Sequence, residues 1–413
     1  MTADAVQAAR VAATRVARES YGKLVAFLAT PGRDVPGAED ALSEAFAIAL
    51  EAWPTNGVPD NPEGWLIVAA RRRMFDSARR RRGAAAASDA QAMIGEELAN
   101  AAASAGPIPD RRLALMFACA HPAIDEAIRA PLMLQTILGL DAAAIASAFL
   151  VSPAAMGQRL ARAKAKIRLA GVPFRVPESE ELTERLGAVL EAIYAAFAHG
   201  WAEAFADDPH GRDLAEEAIW LGRVLVMLAP EEPEAIGLLA LMLYSDSRRA
   251  ARRDDSGRYV PLSEQVATLW NERAIEEAEA LLRAAGGKRR PGRFQFEAAI
   301  QSAHVSRRRT GWTDWPAIAR LYEALFAVTG SPVVAVNRAV AVANAEGAAS
   351  GLRLLEDASA GGLLENYQSF WAAKADLQAR VGDEGAKASY RMAIGLETDA
   401  ATRAFLLARL SAL

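Results

Sequence analysis

Behind "NPEGW" (61–65), Leu66, Ala70, Met74 and Ala78 recur at four-residue intervals, the spacing of one face of an α-helix. Pro62 suits the first turn and Glu63 suits the dipole there. Arg72, Asp76 and Arg79 fall on the other side, so "ARRRMFDSARRRR" (70–82) continues an amphipathic helix rather than forming a loose tail. In "GAEDALSEAFAIALEAW" (37–53), Leu42, Phe46, Ala49 and Trp53 share one face, and Asp40, Glu44 and Glu51 share the opposite one. "LDAAAIASAFLVSPAAMGQRLARAKAKIRLAG" (140–171) predicts a short helix over 141–149, an N-cap at Ser152 and a second helix opened by Pro153. Met156, Leu160, Ala163 and Ile167 form the second helix's buried stripe. Gln158, Arg159, Arg162 and Lys166 project outward, with Lys164 and Arg168 at the flanks.

Further along, "FWAAKADLQARVGDEGAKASYRMAI" (370–394) places Phe370 and Leu377 before a turn at Gly382, then Ala386, Tyr390 and Ala393. That is the aromatic and small-residue spacing of half a tetratricopeptide (TPR) unit, and 331–359 reads as a looser helix pair upstream. No stretch alternates as a strand does; "RYVPL" (258–262) is too short. The pattern predicts an all-α chain: a helical block over 1–82, a small-residue linker over 83–109, a second block over 110–171, and a TPR-like helical extension over 172–413 after the prolines of "GVPFRVPES".

Composition changes this picture in one respect. The net charge is −4, but residues 1–175 hold 21 Lys+Arg against 17 Asp+Glu, while the remainder holds 26 against 34. A basic front and an acidic back direct only the front half at a polyanion. Cys119 is the single cysteine, which excludes an internal disulfide and fits a reducing compartment. The opening "MTADAVQAARVAATR" lacks the apolar core of a signal peptide. "APLMLQTILGLDAAAIASAFLV" contains Gln135 and Asp141, so it reads as two soluble helices and not a membrane span. A cytoplasmic protein is the expectation.

Catalytic chemistry has no foothold in the pattern. His121, His199, His210 and His304 show no ligand spacing with one another or with Cys119, so no metal is expected. A phosphate-cradling glycine loop and a serine elbow are both missing, so neither a cofactor nor an enzyme is expected. Cys119 beside His121 in "FACAHPAI" reads as packing in an apolar helix.

Three features remain. The strip of Asp40, Glu44 and Glu51 is either a solvated face or a docking surface for a basic helix; spacing alone favours the former. The arginine-rich helix can neutralise phosphates, which positions a duplex without reading it. The 140–171 segment has the form of a helix-turn-helix whose Gln and Arg side chains can pair with adenine and guanine in a major groove. A helical hairpin with a basic solvated face is the plainer alternative.

An acidic docking helix, an arginine-rich helix opened by "NPEGWL", a linker and a Gln/Arg helix-turn-helix together resemble regions 2 and 4 of an extracytoplasmic-function (ECF) RNA polymerase sigma factor. "FACAHPAI", "AFLVSPAAMGQRLARAKAKI", "GVPFRVP", "EPEAIGLLALMLYSDSRRAAR" and "SPVVAVNRAVAVANAEG" are similar to the subgroup with a large C-terminal TPR-like extension. The resemblance runs from about residue 10 to the end. It implies a protein that binds core RNA polymerase and directs promoter-specific initiation. Asp40, Glu44 and Glu51, with Phe46 beside them, would meet the β′ clamp helices, and the β flap would be a second docking point. Asn61, Trp65, Arg71, Arg72, Asp76, Arg79 and Arg80 would meet the −10 element, Trp65 being equally suited to the core. Gln158, Arg159 and Arg162 would read the −35 element, with Lys164 and Lys166 on phosphates. The linker would thread near the active-site channel, and the extension would regulate activity through a ligand or protein. "AFAHGWAEAF" (196–205) and "YSDSRRAARRDDSGRYVPLSEQVATLWN" (244–271) depart from the subgroup's usual phrases, which leaves the extension's ligand open. The alternative from another class is a TPR-like scaffold whose basic N-terminal part only tethers it to nucleic acid.

Overall fold

A computed structural model of the chain describes residues 3–81, 110–148, 151–203, 209–359 and 362–413. The predicted linker over 83–109 lies outside the described residues. Regular structure among the described residues is helical; the sole β feature is an isolated bridge between Arg253 and Tyr259. The chain forms two compact units, Met1–Leu221 and Gly222–Leu413. No helix among the described residues is long and apolar enough to cross a membrane.

In the first unit, α1 (Ala3–Gly32) packs against α2 (Val35–Asn56) and α3 (Pro62–Arg81). Asp34 caps α2 by accepting from the Gly37 amide at 3.2 Å, which satisfies one of the first turn's orphan donors. The seam between α2 and α3 is closed by Trp53 and Trp65, both buried, in an edge-to-face pair with centroids 5.6 Å apart. Four helices follow: α4 (Arg112–Cys119), α5 (Glu126–Leu138), α6 (Ala142–Ala148) and α7 (Pro153–Leu169). Asp125 caps α5, and Gly139 ends it in the left-handed conformation at φ 70°. Cys119 is buried between α4 and α5, 3.7 Å from the Thr136 hydroxyl, and burial pushes its thiol up to about 12.

The two front blocks are not separate bodies. α5 and α4 pack on α1, and α7 reaches α2. Gly22 of α1 lies so close to Ile137 of α5 that any Cβ would collide with the Ile137 carbonyl. The expected boundary at 172 also shifts: α8 (Ser179–Glu203) packs on α4 and α5, and Arg112 at the head of α4 stacks 3.9 Å over the Trp220 ring while pairing with Asp110 and Glu217. Residues up to Leu221 therefore belong with the front unit, because the apolar face of α5 needs α8 to cover it.

Helix α9 (Pro209–Leu228) passes from the first unit into the second, where α10 (Pro233–Asp246) is buried on every face from Ala235 to Tyr244. It packs on α11 (Glu272–Gly287) and α12 (Arg293–Val305). Glu234 accepts from the Phe294 and Gln295 amides at 2.9 and 3.2 Å, placing a carboxylate at the positive end of α12. After the single turn α13 (Arg307–Thr310) come α14 (Trp315–Thr329), α15 (Pro332–Glu346), α16 (Ala348–Ser359), α17 (Gln368–Val381), α18 (Ala386–Leu396) and α19 (Ala400–Ser411). From α14 onward each helix packs on the next. Phe370, Leu377, Ala386, Tyr390 and Ala393 are all buried, and Gly382 makes the turn at φ 75°.

Candidate nucleic-acid interface

Helix α3 is fixed to α1 from its first turn. The Glu63 carboxylate accepts from the Ser20 hydroxyl and from Lys23 at 2.9 Å; burial pushes this carboxyl up, but those two hydrogen bonds and the lysine's charge outweigh it and hold it below the usual range. Asn61, expected at the −10 element, caps the helix instead, its side chain accepting from the Gly64 amide at 2.9 Å. Trp65 is likewise a core residue, 2% exposed. Its ring completes the α2–α3 seam and is not available to a base. Asn61→Ala is therefore expected to cost about 1 kcal/mol of stability. Thermal unfolding checks this, and an unchanged midpoint with weakened promoter binding would return Asn61 to the interface.

The outer face of α3 carries what the inner face does not. Arg71 is exposed and stacked 4.8 Å over the Phe27 ring, Arg72 is exposed, and Asp76 is half-buried. Arg79 and Arg80 continue the helix, with side chains outside the described residues. Between the arginines stands Phe75, 75% exposed. Sequence reasoning passed over Phe75, although an aromatic set in the middle of a basic helix face was the available signal.

On α2, Asp40 and Glu51 are exposed and Phe46 is half-buried. Glu44 is not wholly unengaged: it lies 3.4 Å from Arg73 of α3, a surface pair worth under about 1 kcal/mol.

Helix α7 follows the expected pattern closely. Ser152 caps it, accepting from the Ala155 amide at 3.3 Å, and Met156, Leu160, Ala163 and Ile167 are buried. Gln158, Arg159, Arg162 and Lys166 are exposed. Arg159, Arg162 and Lys166 border a groove of about 430 Å³ whose other wall is the α5 N-terminus at Asp125 and Ile128. The Arg162 Nε donates to the Gln158 carbonyl at 3.3 Å, a bond that does not engage its two terminal nitrogens. Residues 149–150, between α6 and α7, lie outside the described residues.

Lys164 departs from its expected place among the phosphate contacts. Its ammonium pairs with Glu39 of α2 at 2.8 Å, the two side chains being 14% and 16% exposed. Burial pushes the Glu39 carboxyl up, and Lys164 pulls only part of the way back. Arg168 reaches Asp34 at 3.5 Å, and Arg33 donates to the Gly171 carbonyl at 2.7 Å. A polar seam thus joins α2 to α7.

Residues 16–84 match the family Sigma-70 region 2, and residues 185–286 match a family of unknown function, DUF6596. An uncharacterized protein of Rhizobium meliloti (strain 1021) is 38% identical over 380 residues, covering 91% of this chain and 89% of its own. No solved structure matches.

Proposed function

The chain belongs to the ECF-like sigma factors that carry a C-terminal extension, and from that premise we propose that it directs core RNA polymerase to promoters by reading them with the outer faces of α3 and α7. A sigma-factor role in transcription initiation, with binding to core polymerase and promoter DNA, comes with the region 2 match. The finer assignment rests chiefly on one observation: a buried stripe orients α7 so that Gln158, Arg159, Arg162 and Lys166 stand clear of the protein beside an open groove. Arg159 and Arg162 would pair with guanine and Gln158 with adenine at the −35 element, Lys166 resting on a phosphate. Arg71, Arg72 and the positions of Arg79 and Arg80 would follow the backbone near the −10 element. Phe75 would offer a stacking platform to an unpaired base there. Asp40, Glu44 and Glu51 would meet the β′ clamp helices, and the groove-bearing front unit the β flap. The second unit would be a TPR-like regulatory module, working in the cytoplasm and without enzymatic activity of its own.

Such a reading requires the front unit to open. By their labels the two promoter elements lie about 25 base pairs apart, roughly 85 Å of duplex at about 3.4 Å per pair. A compact unit of 221 residues has a radius of gyration of about 17 Å. With α7 seated on α2, the two reading faces cannot reach both elements at once.

Run-off transcription with core polymerase, on a promoter upstream of this protein's own gene, tests the assignment. Transcripts that depend on the added chain are expected. Phe75→Ala should reduce open complexes about ten- to a hundredfold at unchanged core binding, since base stacking contributes roughly 1–3 kcal/mol. Absence of both transcripts and core binding would overturn the assignment.

A further inference from the structure

Among the described residues of the second unit, one buried cation has no anion. Arg248 follows directly on α10 and is 9% exposed. Its Nη2 donates to the Gln301 side-chain oxygen at 2.5 Å, and its Nε has no hydrogen-bond acceptor. Arginines nearby in the chain have carboxylates: Arg249 with Asp246, Arg253 with Asp399, and Arg308 and Arg309 with Glu279. Arg248 and Arg307 have none among the described residues. Arg307, on α13, donates to the backbone carbonyls of Ser263 and Gln265 and stacks 5.3 Å from the Trp270 ring.

The charges acting on Arg248 and His304 include further arginines, while Asp399 acts on Arg252. Burial and then the charges of Arg252 and Arg307 pull the Arg248 guanidinium down to about 10. Burial and the charges of Arg248 and Arg307 pull His304 down to about 4, so its ring is neutral at physiological pH and able to donate one hydrogen bond. Arg252, His304 and Arg307 are half-buried, and Arg248 and Arg307 are close enough to His304 for their charges to act on it, as those of Arg252 and Arg307 act on Arg248. A desolvated guanidinium is costly unless paired, and an unsatisfied buried donor calls for a partner such as a water or an ion.

We propose that Arg248, with Arg252, Arg307 and His304 near it, forms a binding site for a phosphate dianion in the C-terminal unit. Three guanidinium groups suit the double charge and several acceptor oxygens of phosphate better than the single charge of a carboxylate. The phosphate is either free or the head of a small phosphomonoester, whose organic part would emerge past the half-buried residues. Arg248 and Arg252 lie in the stretch matched to a family of unknown function, with His304 and Arg307 beyond its end, and the site would give that stretch a ligand class.

Calorimetric titration of the full chain at constant ionic strength, with inorganic phosphate and separately with phenyl phosphate, tests the site without polymerase or DNA. Saturable binding of one anion per chain is expected. It should be weakened at least tenfold in Arg248→Gln, which keeps a polar group toward Gln301, and in the half-buried Arg252→Gln, which carries the test if the first variant misfolds. Arg159→Ala with Arg162→Ala, in the other unit, should bind as the parent does. Tighter binding of the ester would identify a phosphomonoester site and equal binding a free-phosphate site. Loss of binding in the Arg159 and Arg162 variant, undiminished binding by both glutamine variants, or no saturable binding of either anion to the parent would overturn the proposal.

Discussion

Alanine at both Arg159 and Arg162 is expected to lower promoter-specific transcription by roughly thirtyfold or more while leaving the folded state intact. Each bidentate arginine–guanine contact discriminates by about 1–3 kcal/mol, so two lost together account for at least that factor. Stability should hold because neither side chain supports the fold. Both are exposed, and the hydrogen bond from Arg162 to Gln158 lies within a single helix turn. Run-off transcription at fixed salt, on the natural promoter and on one with a scrambled −35 element, is the measurement. A large fall on the first with little change on the second supports base readout. An equal fall on both, with a shallower salt dependence, would reduce the two arginines to phosphate contacts.

Glu39→Lys should loosen the seam between α2 and α7. The substitution sets two ammonium groups face to face where both side chains are mostly buried, and breaking such a pair from one side costs about 3–5 kcal/mol. A larger radius of gyration by small-angle scattering is expected, together with a lower melting midpoint and tighter binding to core polymerase. Adding Lys164→Glu restores opposite charges and should recover most of the compaction. If Glu39→Lys left the dimensions of the chain unchanged, the pair would be an incidental contact and opening would be governed elsewhere. The neighbouring Arg168–Asp34 and Arg33–Gly171 contacts would be the next to examine.

What could be read in advance was local. Ser152, Pro153 and the stripe from Met156 to Ile167 lie within five helix turns, so periodicity and capping chemistry located α7 and its outward face correctly. The same holds for Phe370, Tyr390 and the turn at Gly382. What escaped is separated in the chain. Glu39 and Lys164 stand 125 positions apart, and nothing in either helix alone says that a lysine at the flank of a basic face will turn back onto an acid. Asn61 and Trp65 turn on a related point, Trp65 having suited the core and the interface alike. An indole on a helix next to arginines can face a base or a second tryptophan, and only the packing of α2 on α3 decides it. The boundary at 172 followed two prolines that interrupt a helix without ending a unit, because α8 crosses back to cover α5. Arg248 looked like one more charge in a charged stretch; its burial depends on α10 and α12, which come from opposite sides of that stretch.

The sealed thiol between α4 and α5 has a practical consequence. With its only cysteine enclosed and protonated at any working pH, the native chain is silent to maleimides and other thiol-directed dyes. Cysteines introduced at two exposed positions, one on α3 and one on α7, would be the only ones to take a fluorophore. Energy transfer between them could then be followed in the natural sequence background, in single molecules, as core polymerase and promoter DNA are added.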